Sequence, residues 1–241
     1  MYQLFKSVVF SLCFITCFLS FAAITIEDEI KTSPNSTKLT IGLIVFPPYI
    51  LQADNNECYG DAVDKLTAIF EPYNYDITFY CSSPSRIYRD FNSGYIDISI
   101  NVKSTSAIEG NALYSEQPYE ILRVSVFKKN TTKTSNVKSL SSIRKYNYHG
   151  MRNKLDKEGY RFIDSNNTRE AIAVFMREQE IGLISYAGPF YYYLEKVNNM
   201  RNLGNLKENI SERVLIEAPT FYIINKQRED AATLKQIIDR F

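Results

Sequence analysis

The alternation of strands and helices in the first half of the chain restricts its fold more than any other feature. A mostly apolar strand is predicted at 39–46, and further strands are predicted at 76–80 and at 97–100, where apolar residues alternate. A helix with one apolar face is predicted at 60–70, and a second helix at 84–91. The order strand, helix, strand, helix, strand is typical of a parallel sheet with right-handed crossovers. The sequence therefore predicts an α/β fold.

A second, smaller α/β unit is predicted further along the chain. Residues 128–138 are rich in Thr, Lys, Asn and Ser without apolar periodicity, and we place a crossing between two lobes there. The unit is predicted to start with a short helix at 140–144 and a short strand at 145–148. An extended run at 215–224 is predicted to return to the first lobe, so that two crossings form a hinge beside an interlobe cleft. The predicted boundaries are 39–127 for the first part of lobe 1, 128–214 for lobe 2 and 215–241 for the return segment of lobe 1.

The first residues have the features of an export signal. Lys6 precedes an apolar run at 8–21, and Ser20-Phe21-Ala22 offers small residues at the positions that a signal peptidase reads. We predict a cleavable signal peptide at 1–22, a loose leader at 23–38 and delivery to the periplasm. A membrane anchor is the alternative, but the apolar run is short for a span.

The cysteines are consistent with export. Cys13 and Cys17 lie in the predicted signal, so Cys58 and Cys81 remain in the mature chain. An even pair in an exported protein suggests one disulfide. Two buried free thiols are the alternative.

Polar side chains follow the third predicted strand. Asn101, Lys103 and Ser104 come directly after its last apolar residue, Ile100. In open α/β sheets, ligands bind outside the carboxyl ends of the strands. We therefore interpret the stretch 97–119 as one wall of a solute-binding cleft.

Four partial motifs occur in a fixed order: Phe46-Pro47-Pro48-Tyr49, Tyr59-Gly60-Asp61-Ala62-Val63-Asp64, Asn92-Ser93-Gly94-Tyr95-Ile96-Asp97 and Tyr114-Ser115-Glu116-Gln117-Pro118-Tyr119. With these motifs the sequence resembles the type II periplasmic solute-binding proteins, in particular the bacterial extracellular family 3 that includes polar amino acid binders. The resemblance covers nearly the whole mature chain. It implies a two-lobed α/β fold of the periplasmic binding protein type.

The resemblance also implies a function. In such proteins two lobes close on a small solute, which a membrane permease then accepts, as in ABC importers. Closure follows binding because only the closed state lets the ligand contact both lobes. The expected partners are a small-molecule solute and a membrane permease or receptor, and we expect a monomer without a cofactor.

Two ligand anchors of the family's amino acid binders are missing. Those proteins hold the ligand carboxylate with an arginine after the third strand, and the matching position here is Ile108 or Glu109. They hold the ammonium group with an acidic residue after a second-lobe strand, and the matching position is Tyr186. We therefore do not expect an α-amino acid ligand.

Lys103 and Arg152 are the cations that remain near the predicted cleft. Lys103 follows the third strand, and Arg152 stands beside the start of a helix, where free amide groups favour an anion. Solvated surface charges are the alternative. Five aromatic residues are candidates for stacking on a ring-bearing solute, with core packing as the alternative: Phe46, Tyr49, Tyr119, Tyr148 and Tyr186. We hypothesise that these cations and rings, with Asn101 and Ser104, hold a small polar, anionic or amphipathic solute.

Other functions have weaker support. The single histidine, His149, excludes a two-histidine zinc site, and the balance of 28 basic and 27 acidic residues leaves no basic field for nucleic acid. A sensory module that docks on a membrane receptor would use the same cleft. A dehydratase on this fold is a further alternative, with Glu109 or Glu116 as a general acid. We predict a non-enzymatic protein with no catalytic residue and no metal.

Overall fold

The computed structural model describes residues 37–130, 137–144, 146–201 and 206–241. The predicted signal peptide and residues 23–36 of the predicted leader lie outside these ranges and stay predictions. The last two residues of that leader belong to the first strand, which begins at Thr37 because its end pairs with Tyr75 of a neighbouring strand. Within the described ranges, no helix has the length and apolar character that a membrane span needs.

The first half of the chain contains the predicted alternation of strands and helices. Apolar residues that face the core define each element, and Pro72, Pro84 and Gly94 lie near the ends of helices. The elements are β1 (Thr37–Ile44), β2 (Leu51–Gln52), β3 (Cys58–Tyr59), α1 (Asp61–Phe70), β4 (Tyr75–Ser82), α2 (Pro84–Asn92), β5 (Ile98–Val102), β6 (Ala112–Tyr114) and β7 (Glu120–Lys129).

The second half contains two neighbouring elements that the sequence analysis assigned wrongly. The predicted helix at 140–144 is a strand, and the described part of the predicted strand at 145–148 has no strand structure. Four of the five residues of this strand are buried, so it lacks the period-two alternation that identifies a half-exposed strand. The elements are β8 (Ser139–Ile143), α3 (Met151–Lys157), β9 (Arg161–Ser165), α4 (Thr168–Arg177), β10 (Gly182–Tyr186), α5 (Ala187–Arg201), β11 (Ile210–Asn225) and α6 (Ala231–Ile238).

Apart from β2 and β3, which pair only with each other, the strands form one curled sheet with two parallel ends. The order is β4-β1-β5-β11-β7-β10-β8-β9, and β6 pairs with β11. Strands β4, β1 and β5 are parallel at one end, and β10, β8 and β9 are parallel at the other. The first lobe comprises β1–β6, α1, α2, α6 and the carboxyl half of β11, and the second lobe comprises β8–β10, α3–α5 and the amino half of β11.

The lobes are joined by β7 and β11, which pair in antiparallel fashion along most of their length. Strand β7 already pairs with β10 of the second lobe at Val124, so the first crossing precedes the predicted position at 128–138. Strand β11 begins at Ile210, before the predicted return at 215, and has an irregularity between Val214 and Ile216. Composition did not reveal the crossings because both lie inside regular strands.

Each lobe has its own apolar core. In the first lobe, Leu66 and Phe70 of α1 and Leu234 of α6 are fully buried in one cluster. In the second lobe, Phe127 and Phe190 stack with ring centroids 3.8 Å apart. Two separately packed lobes leave a cleft between them, and this cleft contains the candidate site.

The start of the stretch 97–119 has a structural role. Asp97 accepts hydrogen bonds from the backbone N–H of Thr40, at 2.7 Å, and from Arg228, at 2.8 Å. Buried Asn225 donates to the carbonyl oxygens of Phe91 and Ile96. These bonds fix β5 in the sheet, so that its other end reaches the cleft at a defined position.

The structure joins Cys58 and Cys81 in a disulfide. The Cα atoms are 5.5 Å apart, inside the usual range of about 4.4–6.8 Å. The bond ties the hairpin of β2 and β3 to β4. It therefore anchors the segment that follows Phe46 and Tyr49.

Candidate functional site

A cavity of about 460 Å³ lies where the two lobes face each other. Its volume falls within the range of about 300–1,000 Å³ that is usual for small-molecule sites. The lining residues with polar or aromatic side chains are Phe46, Tyr49, Tyr88, Asn101, Ser104, Thr105 and Tyr119 of the first lobe and its connection to β7, Tyr146, Asn147, Tyr148, His149 and Tyr186 of the second lobe, and Thr220 of β11.

A second depression, of about 760 Å³, lies beside this cavity next to Cys81. It shares Ile44, Pro84 and Tyr146 with the cavity, and Tyr146 is its one lining residue from the second lobe within the described ranges. A solute that drives lobe closure needs contacts on both lobes. We therefore assign the candidate site to the smaller cavity.

A tight turn holds two aromatic rings on the first-lobe wall. Phe46 and Ile50 exchange two backbone hydrogen bonds, of 2.9 and 3.0 Å, around the cis peptide of Pro47-Pro48. The rings of Phe46 and Tyr49 are stacked with centroids 6.3 Å apart. The ring of Tyr119 stands edge-on to Tyr49 at 6.4 Å. Together they form a continuous aromatic surface.

The hydroxyl group of Tyr119 is already hydrogen-bonded to a residue outside the cavity lining. It donates a hydrogen bond of 2.8 Å to Asp61, which also pairs with Lys65 at 2.9 Å. Burial and this hydrogen bond raise the pKa of Tyr119. The ring therefore stays uncharged, and the Asp61 carboxylate already has two partners.

The second-lobe wall is built on a turn with unusual backbone geometry. Tyr148 and His149 have φ angles of 49° and 54°, and Gly150 follows at 84°. Left-handed conformations are uncommon for residues other than glycine and store strain, which surrounding contacts must offset. The Tyr148 hydroxyl accepts a 2.8 Å hydrogen bond from the backbone N–H of Ile143. This buried contact anchors the turn.

Tyr186 and His149 form a hydrogen-bonded pair on the same wall. The hydroxyl oxygen of Tyr186 lies 3.0 Å from Nε2 of His149. Burial raises the pKa of Tyr186 and lowers the pKa of His149. Both side chains are therefore uncharged at neutral pH.

The lowered pKa of His149 predicts a loss of stability on mild acidification. The unfolded chain takes up this proton first, near the ordinary pKa of 6.5, so the free energy of unfolding falls as the pH drops from about 7 to 5. We expect His149→Asn, which tolerates the left-handed backbone, to remove part of this decrease in denaturant titrations at the two pH values. As a control, Tyr186→Phe should retain the decrease. An equal decrease in the His149→Asn variant would contradict the assignment, because the chain has 1 histidine.

The polar end of the cavity is formed where β5 ends. The Oδ1 atom of Asn101 accepts hydrogen bonds from the backbone N–H of Val102, at 2.8 Å, and from the Thr105 hydroxyl, at 2.7 Å. These contacts fix the amide orientation. The buried Nδ2 atom of Asn101 has no hydrogen-bond partner among the described residues.

The lobes contact each other across the cleft. The rings of Phe46 and Tyr186 meet edge-on with centroids 5.2 Å apart. At the start of α5, a Cβ atom at Gly188 would lie 2.9 Å from Cε2 of Tyr49 and 3.4 Å from Cδ of Pro48. The absence of a side chain at Gly188 thus permits this close approach.

Lys103 does not line the cavity, contrary to the hypothesis. Its Nζ atom lies 4.1 Å from the ring centroid of Phe221 and 6.0 Å from that of Tyr114. These ring faces attract the exposed ammonium group and hold it near Phe221 and Tyr114.

Arg152 also lies outside the cavity lining. It pairs with Asp164 at 2.8 Å, and its guanidinium lies 4.4 Å from the ring centroid of Phe162. Burial alone would raise the pKa of Asp164, but hydrogen bonds from Ser142 and Arg152 lower it. Asp164 thus already pairs with this cation, and Arg152 is not among the residues that the structure brings to the cavity.

The remaining predicted residues meet at the cavity, which also includes residues that the sequence analysis missed. Those brought together are Phe46, Tyr49, Asn101, Ser104, Tyr119, Tyr148 and Tyr186. Those missed are Tyr88, Thr105, Tyr146, Asn147, His149 and Thr220. Three of the missed residues, Tyr146, Asn147 and His149, flank the predicted Tyr148 in sequence, and this proximity was a usable signal. Tyr88, on the helix α2, offered no such signal.

The described lining contains no Lys, Arg, Asp or Glu. Ile108 and Glu109, the positions that match the family's arginine, lie outside it, and Ile108 is buried in the core. Glu116 also lies outside and pairs with Lys235 at 3.4 Å. Within the described ranges no cluster of side chains could hold a metal ion.

Comparison with known proteins identifies the fold through structure alone. No family model matches the sequence. No curated protein matches it either.

Solved structures match over most of the chain. The ligand-binding core of GluR0 in complex with L-glutamate has a TM-score of 0.65 and 14% identity, covering 85% of this chain and 91% of that one. The arginine-bound ArgBP from T. maritima has a TM-score of 0.61 and 13% identity, with 84% and 93% covered. A histidine kinase sensor domain with similarity to periplasmic binding proteins has a TM-score of 0.63 and 15% identity, with 85% and 88% covered. The chain therefore has the two-lobed α/β fold of the type II periplasmic solute-binding proteins.

Proposed function

We propose that this protein is a non-enzymatic solute-binding protein that captures a small molecule between its lobes. The observation that carries the proposal is one cavity with aromatic walls from both lobes, in which Phe46 and Tyr186 meet across the cleft. A molecule that replaces this contact would bridge the lobes. The closed state would then gain the full binding energy.

The proposed location is the periplasm, after removal of the signal peptide at 1–22. There the closed protein would deliver its solute to a membrane permease, as part of an ABC importer. A sensory module remains the second candidate, because a histidine kinase sensor domain has the same fold. Both roles use the same cleft and differ in the membrane partner, so pull-down with a permease or a receptor would separate them.

The dehydratase alternative has lost the two carboxylates on which it depended. Glu109 and Glu116 both lie outside the cavity lining. A general acid must stand within hydrogen-bonding reach of the proton that it transfers. We therefore propose binding without turnover. Conversion of a prephenate-like substrate by the purified protein would contradict this proposal.

The experiment that tests the proposed function works even though the solute is unidentified. Protein purified without denaturation should release a small molecule on unfolding, detectable by mass spectrometry. Removal of that molecule should increase the radius of gyration in small-angle scattering, and its return should reverse the change. Absence of any released molecule, together with no compaction in a metabolite extract, would contradict the proposal.

A further inference from the structure

The charge of the cleft limits which solutes it can hold. A charged group that leaves water needs an opposite charge or several hydrogen bonds in its new site. The described lining offers no Lys, Arg, Asp or Glu, and the lowered pKa of His149 keeps that side chain neutral at pH 7. A carboxylate or a zwitterion would therefore lose its hydration without meeting an opposite charge in the described lining.

The shape of the lining favours a ring. Aromatic side chains attract other rings in stacked and edge-on arrangements beyond the effect of buried area alone. The cavity combines one phenylalanine with six tyrosines from both lobes, namely Phe46, Tyr49, Tyr88, Tyr119, Tyr146, Tyr148 and Tyr186. A flat solute would contact rings on two sides.

The unpaired amide of Asn101 indicates one polar group on the solute. A buried donor without a partner destabilises the protein because it has lost its hydrogen bonds to water, and a hydrogen-bond acceptor on the solute would remove this cost. Because Oδ1 of Asn101 already accepts bonds from Val102 and Thr105, the free position is the N–H donor. The matching group is an uncharged acceptor, such as an amide carbonyl.

A cationic solute fits less well. Tyrosine faces attract cations, but Asp61, the carboxylate that is hydrogen-bonded to the aromatic wall, lies outside the lining and is shared by Tyr119 and Lys65. Glu120, whose charge acts on Tyr49, also lies outside the lining. A cation would also meet the N–H donor of Asn101, which repels it. In these features the cleft differs from the aromatic cages that bind ammonium groups.

We propose that the cleft selects an uncharged, ring-bearing solute whose carbonyl oxygen accepts a hydrogen bond from Nδ2 of Asn101. This inference rests on the proposed function and names its solute class. The inference differs from the hypothesis of an anionic solute. The residues that line the cavity determine which solutes bind, and Lys103 and Arg152 are not among them.

Four indole compounds of similar size test the inference. Indole-3-acetamide is neutral, indole-3-acetate is an anion, tryptamine is a cation and L-tryptophan is a zwitterion at pH 7.4. Calorimetry on the mature protein, freed of any bound molecule, should show that the amide binds at least about tenfold more tightly than each charged compound. Tighter binding of any charged member, or no binding of the amide, would overturn the inference.

Two variants test the residues involved. Asn101→Asp keeps the acceptor atom for Val102 and Thr105 but removes the free donor, so affinity for indole-3-acetamide should fall about tenfold or more. Phe46→Ala removes one ring of the wall and should lower the affinity about tenfold. Tyr95→Ala, an exposed ring outside the lining, is the matched control and should leave it unchanged. Unchanged affinity in Asn101→Asp would refute the role of the amide.

The outcomes distinguish this inference from the proposed function. If a charged molecule co-purifies and compacts the protein, the solute class is wrong while the binding function holds. If nothing co-purifies and nothing compacts the protein, both fail. If indole-3-acetamide binds and compacts the protein, both the binding function and the solute class are supported.

Discussion

Replacing Gly188 with valine is expected to lower the affinity for the captured solute by about 10- to 100-fold, since overpacking of a close contact costs about 1–3 kcal/mol. A Cβ atom at this position would already lie 2.9 Å from the ring of Tyr49. Two further methyl groups would force the ring aside or hold the lobes apart. Either change removes contacts that the closed state makes with the solute. Gly188→Ala should have a smaller effect, because a slight shift of the Tyr49 ring accommodates one methyl group.

Two measurements separate lobe closure from general damage. Affinity is measured by calorimetry with the co-purified solute, and compaction is measured by small-angle scattering. Ala232→Val places the same β-branched side chain in the first turn of α6 at an exposed position and should bind normally. The steric interpretation would be refuted if Gly188→Val bound and compacted like the control.

Loss of the Cys58–Cys81 disulfide is expected to lower the free energy of unfolding by about 3 kcal/mol, because the bond closes a loop of moderate length in the unfolded chain. The two cysteines are 23 residues apart. For a domain of this size, that loss corresponds to a decrease in Tm of about 6–12 °C. The bond anchors the hairpin that follows Phe46 and Tyr49 of the cavity wall. Weaker solute binding should therefore accompany the lower Tm.

The double variant Cys58→Ser/Cys81→Ser provides the control for chemical reduction. A reductant should lower the Tm of the unmodified protein to that of the double variant and should not affect the double variant. Calorimetric melting at matched pH gives both values. Identical Tm values for the unmodified protein with and without reductant would show that the bond contributes nothing to stability.

The fold could be predicted because its elements carry local signals. A mostly apolar run identified β1, apolar residues at alternate positions identified β5, and apolar faces identified α1 and α4. Strand β8 was missed because its serines are buried by contacts that no local pattern reveals. Ser141 donates to the carbonyl of Ala171, and Ser142 donates to Asp164.

The site was predicted only in part, for a physical reason. Aromatic residues such as Phe46 and Tyr49 could be predicted because they lie just after the end of a strand, and strand ends meet the cleft. The two cations were placed at the cavity although they lie outside its lining, because their partners are distant in sequence: Lys103 contacts Phe221, and Arg152 contacts Asp164. A single sequence shows which charges exist but not which of them are already neutralised by a neighbour.

The uncharged lining of the cleft has a kinetic consequence. Charged binding sites collect oppositely charged ligands through long-range fields, and their association rates fall as salt screens those fields. The uncharged solute that we propose for this cleft would not respond to such fields. Its capture rate is governed by diffusion and by the motion of the lobes, so the protein would collect its solute at the same rate in dilute and in saline surroundings.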